Sequence, residues 1–162
     1  MSARTDPGHW PMLILFLALC FAAAAIGGLV TVPNIPTWYA GLAKPWFQPP
    51  NGVFGPAWTV LYLTMAIAAW LAWKTGGPVR RSLATGLFLA QLAFNALWSP
   101  LFFGLHLLLP ALVDIVFLWL AIVATIIAFW RISLWPGLLM LPYLAWVTFA
   151  GALNLAIWRL NP

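Results

Sequence analysis

Charge is the property that this sequence lacks most. Only 6% of its 162 residues are charged, with seven Lys and Arg residues against two Asp and Glu. Hydrophobic residues make up 65% of the chain, and the mean hydropathy is +1.01. Soluble domains carry about 25% charged residues, so most of this surface cannot face water. The sequence therefore predicts an integral membrane protein.

Metal ligands and nucleophiles are almost as scarce. The single cysteine, Cys20, lies in an apolar run, which excludes intrachain disulfides and thiolate metal clusters. His9 and His106 lie far apart, and neither has a second ligand spaced to chelate a metal with it. The sequence has no Gly-rich phosphate loop, no Ser/His/Asp set and no clustered basic face for nucleic acid. We predict no metal site, no obligatory cofactor, no nucleic-acid partner and no dedicated acid–base catalytic residues.

Long apolar runs are what the sequence has instead. A helix needs about 20 residues to cross the bilayer core. Five runs reach that length, at residues 11–30, 53–73, 82–105, 107–130 and 134–158. They predict an all-α, five-helix membrane bundle forming a single domain over residues 1–162. The first run also resembles a secretory signal, with Arg4 before it and Ala22–Ala25 within it, but it is longer than a usual signal core.

Basic residues favour one orientation of this bundle. We call side A the side that holds the N-terminus and the second and fourth connections. Side B holds the first and third connections and the C-terminus, and it has fewer basic residues than side A. The side A residues are Arg4, Lys74, Arg80, Arg81 and Arg131, and those of side B are Lys44 and Arg159. In an inner membrane, this asymmetry predicts a cytoplasmic side A. The choice between an inner and an outer membrane stays open.

The connection between the first two runs, residues 31–52, is the one long irregular segment. Five of the fourteen prolines lie between Pro36 and Pro56, so its middle cannot be helical. Aromatic side chains on a proline-stiffened backbone indicate a rigid lid that packs on the bundle or closes over it. The predicted lid residues are Trp38, Tyr39, Lys44, Pro45, Pro49 and Pro50.

Indole and polar side chains share helix faces in the other runs. Asn95 and Trp98 fall on one face of the third run, Tyr143 and Trp146 on one face of the fifth, and Trp58 with Tyr62 on the second. The predicted orientations put Trp58, Asn95 and Trp98 in the half of the bilayer nearest side B, with Trp146 near the midplane. They predict an aromatic cavity beneath the lid, suited to a large, flat, mostly apolar ligand. The alternative is that Asn and Gln side chains only join helices.

Two other features of the runs allow narrower predictions. Asp114 is the only acid within a run, and its candidate partners are Arg159 and Asn95. Ser82, Gly86 and Ala90 form a small-residue stripe on the third run, which predicts a homodimer interface. Close packing within the chain is the alternative, and Ala24 with Gly28 on the first run compete for the same role.

Three blocks of sequence, in order, resemble the translocator protein family, whose bacterial members are called tryptophan-rich sensory proteins (TspO/MBR). The first block comprises Trp38, Tyr39, Leu42, Lys44, Pro45, Pro49, Pro50, Phe54, Pro56, Trp58, Leu61 and Tyr62. The second comprises Gln91, Leu92, Ala93, Asn95, Trp98, Pro100, Phe102, Phe103 and Gly104. The third comprises Pro142, Tyr143, Trp146, Ala150, Leu153 and Asn154.

The resemblance implies a five-helix membrane protein of bacterial type, often a homodimer, that binds porphyrins such as protoporphyrin IX and sterol-like lipids. Carried over by position, it implies a cavity lined by Trp58, Asn95, Trp98, Trp146, Ala150 and Leu153, with Pro56, Tyr62 and Asp114 nearby. Tyr143, on the same helix face as Trp146, completes the predicted binding site. Trp58 and Trp146 match the tryptophans linked in bacterial members to light-dependent porphyrin breakdown. The segment from Leu153 to Arg159 lacks the tyrosine of the animal sterol motif, so strong sterol binding is not expected.

Three functions follow as hypotheses. The leading one is a membrane receptor or sensor for tetrapyrroles that adjusts porphyrin metabolism or a stress response. The second is a porphyrin or lipid transporter, although Asp114 is the only ionisable group in the spans that could couple a gradient. The third is photo-oxidative porphyrin degradation, in which Trp58 and Trp146 would be the catalytic residues.

Overall fold

The computed structural model describes residues 9–162, and every regular element in that range is helical. Five of these helices are long and apolar enough to cross a membrane. They are α1 (Trp10–Asn34), α2 (Phe54–Thr75), α3 (Pro78–Ser99), α4 (Leu108–Trp130) and α5 (Leu134–Leu160). The π-helical turn Pro100–Gly104 extends α3, and 3₁₀ turns occur at Tyr39–Gly41 and Asn51–Val53. The prediction of an all-α five-helix membrane bundle is confirmed.

The helix ends differ from the predicted boundaries for local reasons. α3 begins at Pro78 rather than at residue 82, because proline is well suited to the first turn of a helix. Its arginines can extend from that turn to the headgroup region. α1 continues through Pro33 to Asn34, so the irregular connection is shorter than predicted. Residues 35–53 are called the lid below.

The helices pack in the cyclic order α1, α2, α5, α4, α3. Their densest packing lies toward side A, where Met65, Phe88, Ile122 and Phe129 are buried together. Buried alanines of α2 allow its neighbours to approach closely. α1 contributes the buried residue Phe16 to this core, so it is an integral member of the bundle. The rest of the bundle, toward side B, is packed less completely.

Basic side chains follow the predicted asymmetry. Lys74 and Arg81 lie at the side A ends of α2 and α3, and Arg131 follows the last residue of α4. Lys44 and Arg159 lie at the opposite end, in the lid and the last turn of α5. Arg4, which the prediction also placed on side A, lies outside the described residues.

Candidate functional site

The side B half of the bundle surrounds a cavity of about 490 Å³. All five helices line it, and Tyr39, Asn51 and Gly52 of the lid contribute to its wall. Both its volume and its mainly apolar lining are typical of sites for small organic ligands, which measure about 300–1,000 Å³. The predicted site residues that line it are Trp58, Tyr62, Asn95, Trp98, Trp146, Ala150 and Leu153.

Three predicted site residues do not line this cavity. Pro56 is exposed on the outer surface of α2, because it lies two positions before Trp58 and therefore on another face. Tyr143 and Asp114 are buried among the helices, behind the cavity wall. Direct contact of these three side chains with a ligand in the cavity would therefore require rearrangement.

Neighbouring rings hold the cavity indoles in place. Trp58 stacks on Tyr62 with ring centroids 5.4 Å apart, and Trp98 stacks on Phe102 at 4.9 Å. Trp58 and Trp146, from α2 and α5, meet edge to face at 6.4 Å with an interplanar angle of 84°. Such contacts restrict the rotamers of these rings. The cavity therefore presents indole surfaces that are already oriented before any ligand arrives.

A chain of buried hydrogen bonds lies beside the cavity and joins three helices. The Tyr62 hydroxyl donates to Asn95 Oδ1, and Asn95 Nδ2 donates to the Tyr143 hydroxyl at 2.8 Å. Tyr143 in turn donates to Gln91 Oε1 at 3.0 Å. These bonds join α2, α3 and α5, as the helix-joining alternative predicted, although Gln91 Nε2 has no partner among the described residues. The same side chains thus fix the helices that carry the indoles.

The indole nitrogens of the cavity differ in their hydrogen bonding. Trp98 Nε1 donates to Asn154 Oδ1 at 3.1 Å, and Asn154 Nδ2 donates to the Leu108 carbonyl oxygen at 3.0 Å. Trp146 Nε1 is buried and has no acceptor among the described residues. A buried donor without a partner is costly in an apolar environment. Trp146 Nε1 is therefore an unused donor beside the cavity.

Asp114 does not form either of its predicted pairs. The residue is buried, and neither carboxylate oxygen has a hydrogen-bond partner among residues 9–162. Arg159 is exposed at the end of α5, and the side-chain amide of Asn95 is used by Tyr62 and Tyr143. Neither of the two candidate partners therefore pairs with Asp114.

The lid packs on the end of α3 through aromatic contacts. Trp38 and Tyr39 both contact Phe102 and Phe103, and Tyr39 is buried. Burial raises the pKa of the Tyr39 phenol.

Lys44 Nζ lies 4.9 Å from the centre of the Tyr39 ring. Lys44 Nζ also donates to two lid carbonyl oxygens, so its charge is held within the lid. The three predicted lid prolines, Pro45, Pro49 and Pro50, lie in its non-helical part.

A side-chain amide at the end of α5 fastens the lid to the bundle. Asn161 Oδ1 accepts from the Ala43 backbone N–H at 3.0 Å, and Asn161 Nδ2 donates to the Ala43 carbonyl oxygen at 2.9 Å. Nothing in the sequence pattern marks this contact, because it joins residues 118 positions apart. We call it the Asn161 latch.

Replacing Asn161 with alanine is expected to loosen the lid without unfolding the bundle. Each hydrogen bond contributes about 1 kcal/mol, so losing one to two of them should speed amide exchange of the lid about 5- to 30-fold. Hydrogen–deuterium exchange of residues 38–50 measures the effect. Asn51→Ala, which removes only the bond from Gln48 inside the lid, is the control. Equal exchange in both variants would show that the latch does not hold the lid.

The first helix supplies a cavity wall that sequence analysis did not predict. Phe21, Ala24, Gly28 and Val32 of α1 line the cavity. Phe21 and Val32 are 42% and 66% exposed, so the cavity extends to the lipid-facing surface beside α2. Ala24 and Gly28, considered as a helix-association pair, thus face the cavity. The cavity is open laterally, toward the membrane.

No group of three or more potential metal ligands occurs among residues 9–162. His106 is exposed and stacks on Trp38 with ring centroids 4.1 Å apart. Its Nε2 lies 3.3 Å from Asn34 Oδ1, and the residue is not part of the cavity wall. The stacking on Trp38 accounts for the position of His106 beside the lid.

Comparison with known proteins gives a consistent assignment. The model of the TspO/MBR family matches residues 16–159. The chain is 46% identical to the tryptophan-rich protein TspO of Archaeoglobus fulgidus, covering 92% of this chain and 94% of that protein. It is 41% identical to protein CrtK of Rhodobacter capsulatus, covering 93% and 94%. It is 42% identical to the translocator protein of Homo sapiens, covering 76% and 75%. With five spans around a tryptophan-lined cavity, this multi-pass membrane protein belongs to the TspO/MBR family.

Proposed function

We propose that the chain is a membrane receptor whose cavity binds a porphyrin such as protoporphyrin IX and that its occupancy is sensed. The observation that carries the proposal is the convergence of Trp58, Trp98 and Trp146, from three helices, on one apolar cavity. Flat indole surfaces favour stacking on a flat macrocycle. A similar protein from Cereibacter sphaeroides is named tryptophan-rich sensory protein, which agrees with a sensory role.

The chemistry of the cavity fits an apolar ligand with a few polar atoms. A metal-free porphyrin needs no axial ligand, and no metal-ligand cluster occurs in the described part of the chain. Trp146 Nε1 would donate to a polar atom at the edge of the macrocycle. The lateral opening beside Phe21 and Val32 would admit a ligand dissolved in the bilayer. Sterol-like lipids could use the same opening, with weaker binding because they offer no aromatic face.

The lid is the element that would report occupancy. It contributes Tyr39, Asn51 and Gly52 to the cavity wall, and the Asn161 latch connects it to the end of α5. A ligand that contacts both the lid and the indoles would bind the closed state of the lid more tightly than an open state. Its binding would therefore shift the lid toward the closed state. The closed lid would then be the surface that a signalling partner reads on side B.

Titration of the purified chain with protoporphyrin IX tests the proposal. We expect saturable quenching of tryptophan fluorescence with one porphyrin per chain. Partition into the detergent or lipid would instead give quenching that rises without saturation. The same titration with Trp119→Phe should give an unchanged affinity, because Trp119 lies outside the cavity and donates to Thr148. Nonsaturable quenching would contradict the receptor proposal.

The small-residue stripe of α3 supports a proposed homodimer. Ser82, Gly86 and Ala90 are all exposed, and no atom lies within 4 Å of a Cβ built on Gly86. The alternative of close packing within the chain is therefore wrong for this stripe. Two copies placed stripe to stripe would bring their α3 backbones close together.

Gly86→Leu is expected to dissociate this homodimer. The leucine side chain would separate the two α3 backbones, while its Cβ meets no atom of another helix within 4 Å. Light scattering in mild detergent would show the mass of the protein falling to that of one chain. Val116→Leu, which adds bulk to an exposed position of α4, is the control. A dimer that persists in Gly86→Leu would place the interface elsewhere.

A further inference from the structure

A second groove lies at the side A end of the bundle, between α3 and α4. Its floor is apolar and consists of Leu83, Leu87, Ala124, Ile127 and Ala128. Two arginines, Arg80 and Arg131, form the end of the groove. Leu87 and Ala124 each lie seven residues from the arginine of their helix, so the floor extends roughly 10 Å into the membrane. The groove thus combines a charged mouth with an apolar channel.

Arg80 and Arg131 both line the end of the groove, and no acidic side chain among residues 9–162 lies near them. Arg80 Nη1 donates to the backbone carbonyl oxygen of Arg131 at 2.9 Å, and both residues are exposed. The only acidic side chain among the described residues is Asp114, which lies 17 residues from Arg131 along α4, roughly 25 Å away. Two cationic side chains that line one groove raise its positive potential. The mouth of the groove therefore favours an anionic occupant.

The other basic residues at this end have different surroundings. Arg81 lies over the ring of Trp73 at 4.8 Å and donates to the Gly76 carbonyl oxygen, while Lys74 lies 5.3 Å from the centre of the Trp70 ring. Each of these cations already has an aromatic partner within the chain. Only Arg80 and Arg131, among the basic residues described at side A, line the groove.

We propose that this groove binds an anionic phospholipid. The phosphate would lie between Arg80 and Arg131, because guanidinium groups match the oxygens of a phosphate with paired hydrogen bonds. One acyl chain would cover Leu83, Leu87 and Ile127, of which Leu83 is 58% exposed and Ile127 46%. Basic pockets between membrane helices on the cytoplasmic side are typical sites for anionic headgroups. The apolar floor distinguishes a lipid from free phosphate, which would leave it uncovered.

Native mass spectrometry of the full chain, exposed to equal amounts of phosphatidylglycerol and phosphatidylcholine, tests this site. We expect the wild type to retain phosphatidylglycerol preferentially. The double variant Arg80→Gln/Arg131→Gln should retain at least about tenfold less of this lipid. Lys74→Gln, which removes a charge from the same end outside the groove, should change retention less than twofold. Ala124→Phe, which fills the floor and keeps both arginines, should also reduce retention.

Several outcomes would overturn the lipid site. One is equal retention of the two lipids by the wild type, and another is a loss in Lys74→Gln as large as in the double variant. A third is displacement of the lipid by millimolar inorganic phosphate, which would make the groove a phosphate site. If the double variant does not fold, Arg131→Gln alone serves, because the Arg80 hydrogen bond is to the backbone of residue 131. Unchanged retention in that variant would equally contradict the proposal.

Discussion

Trp146→Ala is expected to weaken protoporphyrin IX binding about 10- to 100-fold. Stacking of an aromatic side chain on a flat heterocycle contributes about 1–3 kcal/mol, and each 1.4 kcal/mol is a factor of ten in affinity. The alanine variant loses this stacking and also the buried Nε1–H, which has no acceptor among the described residues. Trp58→Ala should have a similar effect, because its ring meets that of Trp146 edge to face.

Phenylalanine variants separate the ring from the hydrogen bond. Trp146→Phe keeps an aromatic face and removes the donor, so its affinity should lie between those of the wild type and Trp146→Ala. Trp119→Ala is the matched control, since this tryptophan is 38% exposed on α4 and does not line the cavity. Isothermal titration with protoporphyrin IX measures all the variants. Unchanged affinity in both Trp58→Ala and Trp146→Ala would show that the stacking site is wrong.

Asn95→Leu is expected to lower the free energy of unfolding by about 2 kcal/mol. The substitution leaves the Tyr62 hydroxyl without its acceptor and removes the donor to Tyr143. A buried polar group that loses its partner costs about 1–3 kcal/mol. Double-mutant cycles in membrane proteins give smaller values for single bonds, about 0.6 kcal/mol on average. Reversible unfolding in mixed micelles measures the change.

A double-mutant cycle makes this prediction specific to the network. Tyr62→Phe removes the other side of the same hydrogen bond, so the double variant should be less destabilised than the sum of the single variants. Thr148→Val is the control, because it breaks only exposed hydrogen bonds, with Trp119 and with the Leu144 carbonyl oxygen. Additive effects of Tyr62→Phe and Asn95→Leu would contradict the proposed coupling of the three helices.

The sequence predicted the parts of the fold that depend on apolar length and helical period. The apolar runs predicted the five spans. Trp58, Trp98 and Trp146 converge because each lies on the face of its helix that also carries polar side chains. Polar side chains on one face of an apolar helix show which side of that helix turns inward. Spacing along a single helix was therefore sufficient to predict the aromatic lining.

Other features depend on how each helix rotates against its neighbours. Tyr143 shares a helical face with Trp146, yet its side chain lies behind the cavity wall. Its hydroxyl donates a hydrogen bond to Gln91 Oε1. Asp114 is without its predicted partners because charge type alone does not fix distance. α1 carries no polar side chain in its central turns, so nothing in its sequence marks the face of Ala24 and Gly28 as a cavity wall.

A structure of the chain bound to protoporphyrin IX is the most direct test of the central claim. We expect density for one macrocycle among Trp58, Trp98 and Trp146, beneath the lid, with a polar atom of the ligand within hydrogen-bond distance of Trp146 Nε1. A macrocycle bound on the lipid-facing surface of the helices, with the cavity free of it, would contradict the account.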